Sequence, residues 1–376
     1  MIADVVHRGS LLGSLSKLVG RLSRHHRMEL LLFVVLCLEV VAFGANDPLL
    51  VSRSDIASLL QNIGPVAIIA PAECLVIMAA GMDLSVGSMV SVCSVIFGLL
   101  AQHGVPVGAV VLLTVMTGIG MGVVNGVLVA FLDVLPLIAT LATLFIYATV
   151  AQVMIGAQSL SSIPNSVITL GSRVFFGFLP EQTLVIVVVA VVAAVLLERT
   201  VFGRQLGFIG ANDRAANYAG IAVRRHRFET YLGTGVACAI ASMVQVGFFA
   251  SARSDSGTGL ELVVITACLV GGIDAWGGSG SVLGVMLGCA IIATLEGWMD
   301  LKNIEPTEQQ IAVGAMLVLT VGAQQLSGPI GIWLKERKST WQNTVGPVGA
   351  GPLVSYGLPE AGETEAVMMA IEDPGR

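Results

Sequence analysis

Charged residues are scarce in this chain, which has 376 residues, of which only 12% are charged and 55% are hydrophobic. Its mean hydropathy is +0.88. A chain of this length cannot hide so much apolar surface in a water-soluble core, so its main solvent must be lipid. The scarcity of charge excludes a soluble globular enzyme, and nucleic acid is not an expected partner.

Chemical signatures of catalysis are also missing. The chain has no Gly-x-x-x-x-Gly-Lys-Ser/Thr phosphate loop, so it cannot by that route bind and hydrolyse ATP itself. Its six cysteines lie in apolar stretches without Cys-x-x-Cys spacing and are expected to act as packing residues. None of the five histidines falls inside an expected span. The sequence therefore predicts a protein that is not an enzyme and that binds no metal ion or cofactor.

Long apolar runs are what the chain does contain. A helix needs about 20 apolar residues to cross a bilayer, and runs of that length, or nearly so, predict about ten membrane-spanning helices. We therefore expect an all-α polytopic membrane protein. The expected spans are 30–43, 57–80, 87–102, 105–132, 134–156, 183–198, 229–250, 259–273, 280–298 and 308–326.

Lysine and arginine indicate the orientation of these spans. If the spans cross the bilayer in alternate directions, 15 of the 19 Lys and Arg residues fall on the side of the N terminus. Cytoplasmic loops carry an excess of these residues. Both termini are therefore expected in the cytoplasm.

The chain divides into three expected segments. Residues 1–29 place basic residues and leucines at helical spacing, which predicts a basic amphipathic cytoplasmic segment. Residues 30–334 form the transmembrane domain, and residues 335–376 form an acidic cytoplasmic tail that we expect to be disordered. The first apolar run could instead belong to a cleaved signal peptide, but the number of following spans favours a retained first span.

One polar segment interrupts the apolar pattern at 210–227, with the sequence GANDRAANYAGIAVRRHR. Asn212 or Asp213 can cap a helix, the residues from Arg214 to Ala219 favour its continuation, and Gly220 supplies a stop. The segment is either a short amphipathic helix that serves as a docking surface or an ordinary solvated loop.

Five polar residues lie in or beside apolar runs and are the expected lining of a translocation pathway. Asp83, Ser85 and Ser88 share the turn GMDLSVGS, which suits a broken-helix site, although Asp83 and Ser85 could simply cap the next span. Asn125 on a glycine-rich helix could contact a neighbouring helix or a solute. Glu73 has no cation within the spans as a partner, so we expect it to face a watery pathway or to be neutral.

A weak internal repeat relates two glycine-rich turns. GMDLSVGS at 81–88 and GIDAWGGS at 272–279 match at glycine, aspartate, glycine and serine. Each turn lies between two expected spans, and duplicated halves are common in transporters. Recurrence by chance is the alternative in a chain with 44 glycines.

Three stretches resemble the membrane permease of ribose-type ABC sugar importers. The similarity covers residues 46–326 in the order found in that family. The stretches are GMDLSVGS at 81–88, GMGVVNGVLVAFLDVLPLIATLATL at 120–144, and GANDRAANYAGIAV at 210–223 with LELVVITACLVGGIDAWGGSGSVLGVMLG at 260–288. Pro71, Glu73, Asp274, Trp276 and the acidic tail depart from the family pattern.

The resemblance implies a ten-helix subunit of the bacterial inner membrane. Its implied partners are two cytoplasmic ABC ATPase domains, an extracytoplasmic solute-binding protein and a second permease subunit, either another copy or a sister chain. Its implied cargo is a sugar or sugar-like solute such as ribose, rhamnose, xylose or an autoinducer-2-like compound. Residues 81–88 would belong to the translocation core, and 210–227 would be the cytoplasmic coupling segment, with contacts to the ATPase from Asn212, Asp213, Arg214, Ala215, Ala216 and Gly220.

A different class of function stays open from the residues alone. An ion- or proton-coupled secondary transporter would use Glu73 and Asp83 as its coupling carboxylates. Branched-chain amino acid permeases are related to the sugar permeases, so an amino acid also remains possible as cargo.

Overall fold

The computed structural model describes residues 24–344, apart from 48, 50–51, 166, 169–173 and 176–178. Helices account for most of this part. In chain order they are α1 Arg24–Asn46, α2 Arg53–Asn62, α3 Gly64–Met78, α4 Val86–Gln102, α5 Val107–Ala130, α6 Pro136–Ile155, α7 Glu181–Ala194, α8 Val201–Ala211, α9 Asp213–Tyr218, α10 Val223–Phe249, α11 Leu260–Val270, α12 Val282–Leu301 and α13 Pro306–Thr344.

Four short strands form two antiparallel pairs. In the first pair, β1 (Ser159–Leu160) lies beside β4 (Ala252–Arg253), with Leu160 opposite Ala252. In the second pair, β2 (Val174–Phe175) lies beside β3 (Leu179–Pro180). These strands join loops, so the fold is all-α in its architecture.

Six helices of the described part are long and apolar enough to cross a membrane, and a seventh span results if α2 and α3 together count as one. Two of the other expected spans correspond to the shorter apolar helices α4 and α11. The chain is thus an integral multi-pass membrane protein, whereas the count of ten spans stays a prediction.

The helix pair α2 and α3 bends by 45° at Ile63. Pro65 in the first turn of α3 has no N–H to donate, so the carbonyl of Gln61, four residues earlier, loses its usual helical partner. The side chain of Gln182, at the start of α7, donates to the neighbouring carbonyl of Leu60 at 2.9 Å. The bend is therefore held by a side chain from another helix.

Helix α10 lies at the centre of the molecule, against α3, α4 and α5. Its packing against α5 depends on glycine, as the sequence predicts for 118–126. A Cβ on Gly118 would collide with the carbonyl of Gly235, and one on Gly122 would lie 2.5 Å from the carbonyl oxygen of Tyr231. Small residues let two membrane helices approach closely, which places the side chains of α10 beside the turn at 81–85.

Contacts between loops show which of them lie at the same end of the molecule. At the end that contains 210–227, Arg224 pairs with Asp133 of the α5–α6 loop at 2.8 Å, and the N–H of Gly278 donates to the carbonyl of Met78 at 3.1 Å. At the opposite end, Lys302 pairs with Asp47 at 3.4 Å. The β1–β4 pair also lies at that opposite end, because it joins the C-terminal side of α6 to that of α10.

The two repeated turns also share a local geometry. Asp83 accepts a hydrogen bond from the N–H of Ser85 at 2.9 Å, and Asp274 accepts one from the N–H of Trp276 at 3.0 Å. Each aspartate therefore closes the same kind of turn with the residue two positions later. This similarity supports the predicted repeat.

The chain divides into two units, one up to Gln325 and one from Leu326. Residues 1–23, which hold most of the expected basic amphipathic segment, lie outside the described residues. Helix α13 continues to Thr344, past residue 335 where the sequence places the start of the tail. Residues 345–376 of that tail also lie outside the described part.

Candidate functional site

A cluster of buried polar side chains surrounds Asp83, in the loop between α3 and α4. Asp83 has no exposed surface. One of its carboxylate oxygens accepts from the N–H of Ser85 at 2.9 Å and from the Ser85 hydroxyl at 2.7 Å. The amide of Asn125 on α5 donates to both carboxylate oxygens at 3.3 Å, and the hydroxyl of Thr234 on α10 donates to one of them at 3.3 Å. We call Glu73, Asp83, Ser85, Asn125 and Thr234 the Asp83 network.

Glu73 holds this loop from within α3. Its Oε1 accepts from the backbone N–H of Asp83 at 2.9 Å, and the residue is fully buried. Its Oε2 is also buried and has no hydrogen-bond partner among the described residues. In this structure Glu73 therefore lies in the packed interior, and the expectation that it faces a watery pathway or is neutral stays a prediction.

Ser85 is the N-cap residue of α4, but its side chain makes no capping hydrogen bond. Its hydroxyl instead donates to Asp83 and accepts from the amide of Asn125 at 2.7 Å. The hydroxyl of Ser88 donates to the carbonyl of Ser85 at 2.8 Å. Asn125 therefore bonds to a neighbouring loop, which is the helix-packing alternative for this residue, and in this structure it faces no open pathway.

Two residues of the cluster were not singled out from the sequence. Thr234 contacts Asp83 directly, and Tyr231 donates from its hydroxyl to the carbonyl of Met82 at 3.3 Å. Both lie on α10 and are buried. In the sequence, the only sign of their role was that a threonine and a tyrosine lie one turn apart in an apolar helix. Only the fold shows which loop these two side chains contact.

The Asp83 network joins helices α3, α4, α5 and α10 at the loop between α3 and α4. Buried polar groups that are bonded to one another fix a single arrangement, and breaking them is costly in a low-dielectric interior. Such a site is suited to holding this loop in place or releasing it as a unit. Among the described residues, no three His, Cys, Asp or Glu side chains are grouped closely enough to hold a metal ion.

The 210–227 segment contains the predicted short helix, α9. Asn212 is its N-cap, and the side-chain oxygen accepts from the N–H of Ala215 at 3.0 Å. Ala216 is the buried residue of the helix. Gly220 follows with a φ of +80°, a conformation that favours glycine, so it ends the helix as predicted.

Most of α9 faces outward. Asp213, Arg214 and Ala215 are exposed, as is Gly220 beyond the helix. Tyr218 is 92% exposed, which is unusual for an aromatic side chain with one apolar face. An exposed tyrosine beside an arginine is typical of a protein-binding surface.

Arg227 connects this segment to the end of α3. Its guanidinium donates to Asp213 at 3.4 Å and to the carbonyl of Ala79 at 3.3 Å. A Cβ on Gly210 would collide with the carbonyl of Met78, so the backbone of α8 also packs closely against this helix end. Asp83 follows Ala79 by four residues, so Arg227 links α9 to the segment that leads into the Asp83 network.

Comparisons with known proteins agree with these features. The sequence model of the family described as "Branched-chain amino acid transport system / permease component" matches residues 56–321. Several curated relatives carry the name "Autoinducer 2 import system permease protein LsrD". The relative from Enterobacter sp. (strain 638) is 32% identical over 305 residues, which are 80% of this chain and 93% of the relative.

Two further relatives with that name show similar sequence identity and coverage. The protein from Yersinia pseudotuberculosis serotype O:3 (strain YPIII) is 30% identical over 327 residues, which are 85% of this chain and 98% of the relative. The protein from Photorhabdus laumondii subsp. laumondii is 28% identical over 312 residues, which are 81% and 93% of the two chains. No solved structure matches the chain.

The family match contains both the Asp83 network and the 210–227 segment. It extends over most of the chain, and the relatives are aligned over nearly their whole length. The chain therefore belongs to the branched-chain amino acid transport system / permease component family.

Proposed function

We propose that this chain is the membrane-spanning subunit of an ATP-binding-cassette importer that moves a sugar or sugar-like solute inward by alternating access. The names of the relatives support an import function, and an autoinducer-2-like solute is one candidate beside ribose, rhamnose and xylose. The chain would act in the bacterial inner membrane with about ten spans and both termini in the cytoplasm. Residues 30–334 would form the permease domain, flanked by the basic segment 1–29 and the tail 335–376.

The partners would be two cytoplasmic ABC ATPase domains, an extracytoplasmic solute-binding protein and a second permease subunit. The permease itself would catalyse no covalent step. ATP binding and hydrolysis would change the distance between the two ATPases, and α9 would follow the ATPase on which it is seated.

The connection through Arg227 is the observation that carries this proposal. A helix seated on an ATPase transmits movement only if it is tied to the spans, and Arg227 ties α9 to the end of α3. Beyond that end lies the Asp83 network, and at the other end of α3 lies the 45° bend. Helix α3 would thus move between the bend at Ile63 and the loop that contains Asp83.

Reconstitution tests this function. The chain, its ATPase and its binding protein would be placed in proteoliposomes, and uptake of radiolabelled ribose, rhamnose, xylose and autoinducer-2 would be measured with and without ATP inside. We expect ATP-dependent uptake of at least one of these solutes. Replacing both Asp213 and Arg214 by alanine, or Gly220 by alanine, should lower uptake and transport-coupled ATP hydrolysis while membrane insertion is retained. Unchanged uptake in both variants would contradict the docking role of α9.

An ion- or proton-coupled carrier is the second candidate, favoured by the direct hydrogen bond between Glu73 and the backbone of Asp83. Carboxyl groups within the membrane often serve as proton relays in transporters. This candidate requires uptake by the chain alone, in liposomes with an ion or proton gradient and no ATPase. Absence of such uptake, together with ATP-dependent uptake by the full complex, would exclude it.

A further inference from the structure

A second polar site lies at the end of the molecule opposite 210–227. It is a cleft of about 240 Å³ between α2, α11, α12 and α13. Its polar lining comes from Asn62, Thr258, Glu296, Asp300, Gln309 and Gln310. The cleft has no part in the Asp83 network.

Several of these polar groups lack protein partners. Within the described part of the chain, the side chains of Asn62, Thr258, Glu296 and Gln310 make no hydrogen bond to another residue. Asn62, Thr258 and Gln310 are exposed to solvent, and the amide of Gln309 donates to Asp300 at 2.6 Å. Carboxylate, amide and hydroxyl groups that converge on one cleft without partners can donate to and accept from the hydroxyls of a solute.

The charge of the cleft restricts what it can hold. Glu296 and Asp300 lie one turn apart on α12, and no Lys, Arg or His lines the cleft. Lys302, two residues beyond Asp300, pairs with Asp47 instead. The carboxylate of Asp300, and that of Glu296 when it is ionised, repel anions and raise the local concentration of cations.

The cleft also contacts the bend in the α2–α3 pair. Leu59, Asn62 and Ile63 line it, and Ile63 lies between the two bent helices. A solute bonded to Asn62 would therefore contact the bend itself. A solute in the cleft could therefore change the bend between α2 and α3, which lies at the end of α3 remote from Arg227.

From these observations we propose that the cleft is a solute-binding vestibule for uncharged polyhydroxylated compounds and that its two carboxylates exclude anionic derivatives such as sugar phosphates. The inference rests on the proposed import function for its biological role. The vestibule itself can be tested without ATP, an ATPase or transport.

Cysteine labelling tests both the charge and the binding. The parent protein is the full chain with Cys37→Ala, because Cys37 is exposed and the other five cysteines are buried. Gln310→Cys places a thiol in the cleft, and Thr258→Cys does so from a different segment, in case one variant fails to insert. Gln158→Cys, an exposed position beside β1 and outside the cleft, is the control.

Rates of modification by a cationic trimethylammonium methanethiosulfonate and an anionic sulfonate methanethiosulfonate would be measured on the purified protein in detergent. In the cleft variants we expect the cationic reagent to react faster by on the order of tenfold, relative to the ratio at the control position. Adding Glu296→Gln and Asp300→Asn should bring that ratio to the control value. Equal ratios at the cleft and control positions would overturn the exclusion of anions.

Protection by solutes tests the binding. At least one of D-ribose, D-xylose and L-rhamnose, at a concentration of tens of millimolar, should slow modification of the cleft variants. D-ribose 5-phosphate should have no effect, and the control variant should be unaffected by all four. Protection by none of the sugars, or equal protection by the phosphate, would overturn the vestibule. Loss of ATP-dependent uptake in the reconstituted complex would concern the import function alone.

Discussion

The Oε1 oxygen of Glu73 accepts a hydrogen bond from the backbone N–H of Asp83 at 2.9 Å. The bond joins the interior of α3 to the loop that follows the same helix. Backbone groups past a helix end have no helical partner and must find one elsewhere when they are buried. A glutamate that is costly in lipid thus provides a hydrogen-bond acceptor for a buried N–H of the loop after α3.

We predict that Glu73→Gln and Glu73→Ala differ sharply. The glutamine oxygen can accept the same N–H, so the variant should retain its melting temperature and its ATP-dependent uptake. Alanine leaves the buried N–H of Asp83 unpaired, which costs about 1–3 kcal/mol. Thermal unfolding of the purified variants in detergent measures the stability difference. If glutamine abolished uptake without lowering stability, the carboxyl proton itself would be needed, which would favour the carrier.

Gly118 and Gly120 provide a matched pair for the α5–α10 contact. A Cβ on Gly118 would collide with the carbonyl of Gly235, whereas a Cβ on Gly120 would have no atom within 4 Å. Gly118→Ala should lower stability by about 1–3 kcal/mol or more because it overpacks a helix contact. Gly120→Ala should be neutral or slightly stabilising, because alanine has the higher helix propensity. Equal melting temperatures for the two variants would show that the helices do not pack this closely.

Arg227 and Arg224 provide a matched pair for coupling. Arg227 bonds to Ala79 and Asp213, whereas Arg224 and its partner Asp133 have side chains that are 64% and 65% exposed. Arg227→Ala should reduce solute uptake by on the order of tenfold, since a hydrogen bond to a charged group contributes about 1.5–3 kcal/mol. Arg224→Ala should change uptake little, because exposed ion pairs contribute little.

The measurement for this pair is uptake and ATP hydrolysis in the reconstituted complex. A coupling defect predicts that Arg227→Ala lowers uptake per ATP hydrolysed, while a general loss of stability would lower both in proportion. Equal behaviour of the two arginine variants would argue against transmission through Ala79.

The Arg253–Asp255 ion pair lies in the α10–α11 loop. We predict that this pair makes the stability of the protein weakly dependent on pH. The guanidinium donates to both carboxylate oxygens, at 2.8 and 2.7 Å, and these bonds lower the pKa of Asp255 below its ordinary value. Because the pKa of Asp255 is lowered in the folded state, the ion pair stabilises the protein above the ordinary pKa of aspartate. This stabilisation is lost as the pH falls through the pKa of Asp255 in the folded protein. Both side chains are largely exposed, so the effect should be small.

The measurement for this loop compares the melting temperatures of the parent and Asp255→Asn across pH. Their difference should be constant from pH 8 to about pH 5 and shrink only below about pH 4. A difference that changed near neutral pH would assign the dependence to other groups.

Much of the architecture could be predicted from local patterns. The expected spans coincide with helices because a run of apolar residues in lipid has to satisfy its own backbone hydrogen bonds. Asn212 and Gly220 begin and end α9 as predicted, since capping and positive φ depend on the residue itself and its near neighbours. The glycines of α5 likewise predicted a close helix contact.

The sequence by itself thus determined that this is an apolar, multi-pass, all-helical chain with a polar segment at 210–227. Only the tertiary structure decided which residues share a site. Thr234 is 151 positions from Asp83, and Arg227 is 148 positions from Ala79, and no local pattern encodes such partners. The structure also buries Glu73 and places its carboxyl group next to the backbone N–H of Asp83. Residue type alone does not decide whether such a carboxyl group meets an N–H or water, because this depends on where the loop after α3 folds back.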